Sequence, residues 1–220
     1  MSSWASYFDH TLLKQSATDV EIETLCAEAK NHSFFSVCVN PCWVSLCREH
    51  LAGTPVKVCT VVGFPLGANQ TKIKLAETQQ ALIDGAGEID CVLNVGFLKS
   101  KKTQLVLEEL RQIVHICQNR ALVKVIVESG ILSRDELLTA IELVNESGAE
   151  FIKTSTGFAN VGATEEAVQL MKTHGRKNLS IKASGGIKTA ADFQKFILLG
   201  AQRIGASQSV AILQDLRGSP

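Results

Sequence analysis

Two lysines end short apolar segments in the second half of the sequence. Lys153 ends the segment 151–153 and Lys182 ends the segment 180–182, and small polar residues and glycine follow both. A charge inside a buried strand is costly unless it is paired or functional. Neighbouring strands lie about 4.8 Å apart, so two lysines at matching positions would have adjacent ammonium groups. Like charge and burial lower a lysine pKa, which supplies the free amine that a nucleophile needs. Pairing of each lysine with a carboxylate near the rim is the structural alternative.

Asp90 is the acid that we expect to work with this lysine pair. It lies in the apolar segment 88–93 and has the same strand parity as Val92 and Asn94, so all three should face the same way. From the mouth of a barrel, such an acid could move protons directly or through water. A helix cap or a rim ion pair remains the alternative. Lys124, on the following segment, is a candidate inward partner of Asp90.

Glycines and small hydroxyl residues cluster late in the chain. Gly185 and Gly186 follow the seventh apolar segment, and Gly205 and Ser207 follow the eighth. Loops at these positions of an eight-stranded barrel, close to helix N-termini, form a recurrent phosphate site. Glycine is also common in such turns for steric reasons alone.

Eight apolar, β-branched segments alternate with amphipathic ones: 8–12, 36–39, 56–62, 88–93, 122–127, 151–153, 180–182 and 203–204. About eight helices are expected between them, with start signals in the segment 16–19 and at Ser133 and Thr189, and glycine stops at positions 85, 87, 148, 175 and 200. This alternation predicts right-handed βαβ units and a parallel sheet. We therefore expect an α/β fold, a closed (β/α)8 TIM barrel in which residues 1–220 form one domain. An open doubly wound sheet is the rival.

Composition excludes several classes of function. Lys plus Arg equals Asp plus Glu at 22 each, without the basic excess expected of a nucleic-acid partner. Neither a signal-peptide pattern nor an apolar stretch long enough for a membrane is found, so we expect a cytoplasmic location. The seven cysteines lack zinc-site spacing, which predicts reduced, core-forming thiols and no metal or other cofactor.

The chain resembles the deoxyribose-phosphate aldolases. The resemblance runs from the first apolar segment to the last, and is most specific in Lys-Thr-Ser-Thr-Gly-Phe and Lys-Ala-Ser-Gly-Gly-Ile. The matching segments are 9–14, 37–41, 62–67, 88–90, 151–158, 182–187 and 203–207. It implies reversible aldol cleavage of 2-deoxy-D-ribose 5-phosphate to acetaldehyde and D-glyceraldehyde 3-phosphate, in deoxyribonucleoside catabolism. It also suggests a homodimer.

The resemblance also assigns roles to individual residues. Lys153 would form the Schiff base, Lys182 would be the cation that eases its deprotonation, and Asp90 would serve the proton relay. The other expected roles fall on two sets. The substrate contacts are Asp9, Thr11, Cys38, Lys124 and Thr156, and the phosphate contacts are Gly157, Gly185, Gly186, Gly205 and Ser207.

Two departures and three alternatives remain. Gln208 stands where many members of the family have a second serine near the phosphate, and the chain ends soon after Leu216. Another Schiff-base aldolase for a different phosphorylated sugar would use the same lysine. A non-catalytic phosphosugar-binding barrel would keep the lysines protonated and idle. The lack of a histidine cluster disfavours a metal-dependent aldolase.

Overall fold

A closed barrel of eight parallel strands forms the centre of the molecule, in a computed structural model that describes residues 4–218. The strands follow one another around the barrel in chain order, which confirms the predicted (β/α)8 fold. They are Phe8–Leu12 (β1), Ser36–Val39 (β2), Lys57–Val62 (β3), Glu88–Val92 (β4), Leu122–Ile126 (β5), Phe151–Lys153 (β6), Ser180–Ser184 (β7) and Arg203–Ala206 (β8). Each predicted strand is present, with ends that differ by at most two residues.

The helices form the outer layer. They are Asp19–His32 (α1), Val44–His50 (α2), Thr71–Asp84 (α3), Val95–Lys99 (α4), Thr103–Cys117 (α5), Arg134–Ser147 (α6), Glu165–His174 (α7), Ala190–Leu198 (α8) and Ser209–Gly218 (α9), with 3-10 turns at Trp4–Tyr7, Pro41–Trp43 and Ser129–Ile131. About eight helices were expected, whereas residues 4–218 contain nine. The difference arises after β4, where the short α4 precedes α5.

The helix boundaries follow the capping chemistry of the sequence. Complete capping boxes begin α1 at Thr18, α6 at Ser133 and α8 at Thr189, each with an acidic residue three positions later. Gly85 and Gly148 end α3 and α6 in the left-handed conformation that glycine adopts most readily.

Apolar residues fill two spaces. The larger cluster lies between the outer faces of the strands and the helices, as the alternation of strand side chains requires. A smaller cluster of Leu13, Cys38, Cys59 and Val61 lies apart from it, with Phe64 packed against it. Much of the remaining barrel interior is charged, which is the feature that positions the site below.

Across residues 4–218, helices are too short or too polar to cross a lipid bilayer.

Candidate active site

The two lysines of the sequence prediction are direct neighbours. Lys153 on β6 is in register with Lys182 on β7, and both side chains are buried in the barrel. Each Nζ lies 2.7 Å from the same carboxylate oxygen, Oδ2 of Asp90. Strand register and side-chain parity therefore bring together the three residues proposed for catalysis.

Lys182 is held as an ammonium by two carboxylates. Its Nζ lies 2.5 Å from Asp9 Oδ2 and 2.7 Å from Asp90 Oδ2. Burial alone would lower the pKa of Lys182, but Asp9 and Asp90 outweigh burial and hold that pKa above its ordinary value. For Lys182, the expectation of a lowered pKa is therefore wrong. As a cation, Lys182 supplies the positive charge beside Lys153 that the sequence analysis expected.

Asp90 is surrounded by ammonium groups. Besides Lys153 and Lys182, Lys124 donates to its Oδ1 at 2.9 Å, which confirms the expected pair of Lys124 and Asp90. Burial opposes ionisation, yet Lys124, Lys153 and Lys182 hold the pKa of Asp90 well below its usual range. The helix cap considered for Asp90 is made by Asn94, which accepts a hydrogen bond from the Phe97 N–H after β4 has ended. Asn94 lies beyond Val92, the last residue of β4, so strand parity with Asp90 does not extend to it.

Three interior residues were missed by the sequence analysis. Arg203 donates to Asp9 and Glu88, Glu88 also accepts from Lys124, and Cys59 donates to Asp90 Oδ1 at 3.1 Å. Strand parity was the available signal, because Glu88 lies two positions before Asp90 in β4. Charge within the barrel therefore forms one network rather than isolated pairs.

A cavity of about 800 Å³ lies at the C-terminal ends of the strands. Expected site residues that border it are Thr11, Lys153, Thr156, Gly157, Gly185, Gly186, Gly205 and Ser207. Other expected residues do not border the cavity and are fully buried: Asp9, Cys38, Asp90, Lys124 and Lys182. Among the interior lysines and Arg203, Lys153 is the one that borders the cavity.

Gly185 and Gly186 occupy the part of the cavity wall expected to bind phosphate. Both have a positive φ, of 84° and 78°, which an L side chain rarely adopts. A Cβ at Gly186 would meet nothing within 4 Å, so the backbone there faces open space. Ser207 lies two residues before α9, and Lys14 and Lys188 add positive charge to the lining. These two lysines were not selected from the sequence.

Gly205 has a steric role as well. A Cβ at this position would lie 3.0 Å from Ser184 Cβ and 3.1 Å from Lys182 Cε. A larger residue would therefore press on the Lys182 side chain that pairs with Asp9 and Asp90.

Cys38, Cys59 and Asp90 are close enough to suggest a metal site, with one ligand atom each inside a 4.8 Å cluster. Lys124 Nζ already lies 3.3 Å from Cys59 Sγ and 2.9 Å from Asp90 Oδ1. Lys153 and Lys182 also bind Asp90, so a divalent cation would meet three ammonium groups. This donor set does not suit a metal ion.

The fold and the site define a (β/α)8-barrel protein whose cavity lies at the C-terminal ends of the strands, the usual place for barrel enzymes. The family model of the DeoC/LacD family aldolases matches residues 4–215. This chain belongs to that family and is an aldolase, a lyase.

Individual relatives are similar over nearly the whole chain. A deoxyribose-phosphate aldolase of Clostridium novyi is 49% identical over 96% of this chain and 95% of its own. One of Bacillus cereus is 48% identical over 98% and 97%. The crystal structure of a putative deoxyribose-phosphate aldolase from Coccidioides immitis superposes with a TM-score of 0.95, at 40% identity, over 98% of this chain and 86% of that one. The tetrameric Aeropyrum pernix deoxyribose phosphate aldolase gives 0.91, at 31% identity, over 98% and 91%.

Proposed function

We propose that the protein reversibly cleaves 2-deoxy-D-ribose 5-phosphate to acetaldehyde and D-glyceraldehyde 3-phosphate through a Schiff base on Lys153. The observation that carries this proposal is the position of Lys153, which borders the cavity and whose Nζ lies 2.7 Å from Asp90 Oδ2. The names of the relatives support the substrate, and deoxyribonucleoside catabolism is the corresponding role.

Asp90 and Lys182 give Lys153 the proton chemistry that this reaction needs. The ionised Asp90 can accept the proton that Lys153 must lose before its amine attacks the aldehyde carbon C1. Loss of water then gives an iminium, which accepts the electrons of the C2–C3 bond as the C3 hydroxyl loses its proton. D-glyceraldehyde 3-phosphate leaves, and protonation and hydrolysis of the enamine release acetaldehyde. Lys182 would keep Asp90 in place during these steps through its 2.7 Å contact with Oδ2.

The remaining expected residues divide by depth. Thr11 and Thr156 border the cavity and would contact the sugar, while Gly157, Gly185, Gly186, Gly205 and Ser207 would hold the phosphate. Asp9 and Lys124 are buried in the barrel interior and would act indirectly. Asp9 would act through Lys182, and Lys124 would act through Asp90. Cys38 would act from the buried cluster that it forms with Leu13, Cys59 and Val61.

We propose further that the reaction is independent of metal ions and other cofactors, since three ammonium groups already bind the Asp90 carboxylate that a metal ion would need. The free state of all seven cysteines supports a reducing, cytoplasmic compartment. The closed barrel supports a single domain over residues 1–220. Assembly as a homodimer stays a prediction.

Borohydride trapping tests the proposal. Incubation with acetaldehyde and borohydride should attach an ethyl group to Lys153, located by mass spectrometry of the peptides. The variant Lys153→Ala should carry no adduct at the site, and a chelator should leave cleavage unchanged. A protein that cleaves the substrate without an adduct on Lys153 contradicts the proposal, and strong chelator inhibition indicates a metal-dependent route.

Substrate comparison separates the alternatives. Another Schiff-base aldolase would trap its carbonyl substrate on Lys153 and cleave a different phosphorylated sugar faster than deoxyribose 5-phosphate. A binding barrel would bind the phosphosugar without forming an adduct.

A further inference from the structure

Glu128 has an unusual conformation directly after β5. It lies in the left-handed region at φ 51° and ψ 56°, and its side chain is buried. A non-glycine residue in this region costs free energy and persists where its surroundings fix it. The sequence analysis gave Glu128 no role.

Backbone hydrogen bonds on both sides of Glu128 hold the chain against the end of β6. The Val127 N–H donates to the Lys153 carbonyl at 3.0 Å, and the Ser129 N–H donates to the Thr154 carbonyl at 2.8 Å. The left-handed turn between these bonds directs the carboxylate of Glu128 to Thr156. The strained residue is thus anchored to the segment that carries Lys153.

Both donors of Thr156 go to this carboxylate. The hydroxyl donates to Oε2 at 2.5 Å, and the backbone N–H lies 3.2 Å from Oε1 and 3.3 Å from Oε2. Within residues 4–218, Glu128 has no cationic partner, so Thr156 supplies its hydrogen bonds. Glu128 borders a second cavity of about 160 Å³ and not the larger one, whereas Thr156 borders both.

Thr156 can therefore meet a ligand only as an acceptor. Its hydroxyl oxygen has two lone pairs, of which the Phe158 N–H at 3.1 Å uses one. The other can accept a hydrogen bond from a hydroxyl group. The dianion of a sugar phosphate ester offers acceptors alone, so Thr156 has no donor left for it.

We propose that Glu128 is a positioning residue, which fixes the Thr156 hydroxyl as an acceptor and makes Thr156 recognise a hydroxyl group of the sugar rather than its phosphate. This inference rests on the proposed function. In the larger cavity, the side at Thr156 would then recognise a hydroxyl group, and the side at Gly185, Gly186 and Gly205 would bind the phosphate anion.

A double-mutant cycle tests the coupling. Glu128→Ala should raise the KM for deoxyribose 5-phosphate about tenfold and leave kcat within about twofold, since one oriented hydrogen bond is lost. Thr156→Val should give a similar rise, and the double variant should be no worse than either single one. Glu128→Gln keeps an acceptor and should restore most of the affinity that Glu128→Ala loses. Thr156→Ser keeps a hydroxyl and should restore most of the affinity that Thr156→Val loses. Effects that multiply in the double variant contradict the coupling.

Two further measurements separate this role from a structural one and from the proposed function. Acetaldehyde has no hydroxyl group, so trapping on Lys153 should be unchanged in Glu128→Ala; a loss of trapping that matches the rise in KM overturns the positioning role. If Glu128→Ala does not fold, Thr156→Val still decides, because its inhibition constant for inorganic phosphate should equal that of the wild type. A tenfold weaker inhibition would mean that Thr156 binds the phosphate. Failure of trapping in the wild type would instead contradict the proposed function.

Discussion

Two buried ionic clusters in this molecule are built in opposite ways. Between α3 and α5, Lys74 Nζ lies 2.5 Å from Glu109 Oε1 and also donates to the Val92 carbonyl at 2.9 Å, while Thr71 donates to the other oxygen of Glu109. One cation faces one anion, and the pair is closed off from solvent.

The barrel interior has no such balance. In the described chain it joins the cations Lys124, Lys153, Lys182 and Arg203 with the carboxylates Asp9, Glu88 and Asp90. Of these four cations, Lys153 is the one that borders the cavity of about 800 Å³. In the balanced pair each charge is satisfied by its partner. In the barrel, Lys153 shares Asp90 with two other ammonium groups and borders the larger cavity, where it can meet a ligand.

The largest expected effect separates the two clusters by activity. Lys153→Ala should lower kcat/KM for deoxyribose 5-phosphate by about 10⁴-fold or more, because no iminium can form. The free energy of unfolding should change by no more than about 1 kcal/mol, since Asp90 retains Lys124 and Lys182. Steady-state kinetics and urea unfolding measure the two quantities. Near-normal activity of Lys153→Ala would contradict the catalytic role of the barrel network.

The opposite outcome is expected between the helices. Lys74→Met should lower the free energy of unfolding by about 3–5 kcal/mol, because Glu109 is left buried and unpaired. The double variant Lys74→Met/Glu109→Leu should recover most of the loss, with kcat of the folded protein unchanged in both. A double variant as unstable as Lys74→Met would show that the loss does not come from the unpaired carboxylate of Glu109.

Lys182 tests the interior network without removing the nucleophile. Lys182→Met should lower kcat/KM about 100-fold, because Asp9 and Asp90 lose the ammonium group that both of them bind. Steady-state kinetics measure the loss. A kcat/KM within about twofold of the wild type would mean that Lys182 does not serve the reaction.

Acid titration tests the charge network without a substitution. Burial opposes ionisation of Asp9, but Lys182, Lys124 and Arg203 lower its pKa in the folded protein. Burial likewise opposes ionisation of Asp90, whose pKa is lowered by Lys124, Lys153 and Lys182. Their contribution is complete above the unfolded value of about 3.9 and is lost as the pH falls below it, by up to about 1.4 kcal/mol per pH unit for each group. Urea unfolding between about pH 5 and pH 2 measures the slope. Asp9→Asn should reduce it, and an unchanged slope would contradict the charge network.

Local sequence chemistry was sufficient for most of the fold. Several features depend only on neighbouring residues and could therefore be predicted from the sequence. They are the capping boxes at Ser133 and Thr189, the left-handed glycines at 85 and 148 and the eight apolar segments. The extra helix α4 was missed because it has only five residues, too few for helical periodicity.

The site was only partly predictable. The sequence by itself determined that Lys153 and Lys182 lie on neighbouring strands, because period-two alternation and chain order fix that placement in a barrel. The sequence placed Lys182 at the end of its segment, whereas β7 continues to Ser184. The tertiary structure alone decided that Asp9 and Asp90 hold Lys182 as a cation, that Lys74 is buried with Glu109, and that Glu128 turns to bind Thr156. The physical reason is distance along the chain: these partners lie 28 or more positions apart, so closure of the barrel and packing of its helices bring their charges together.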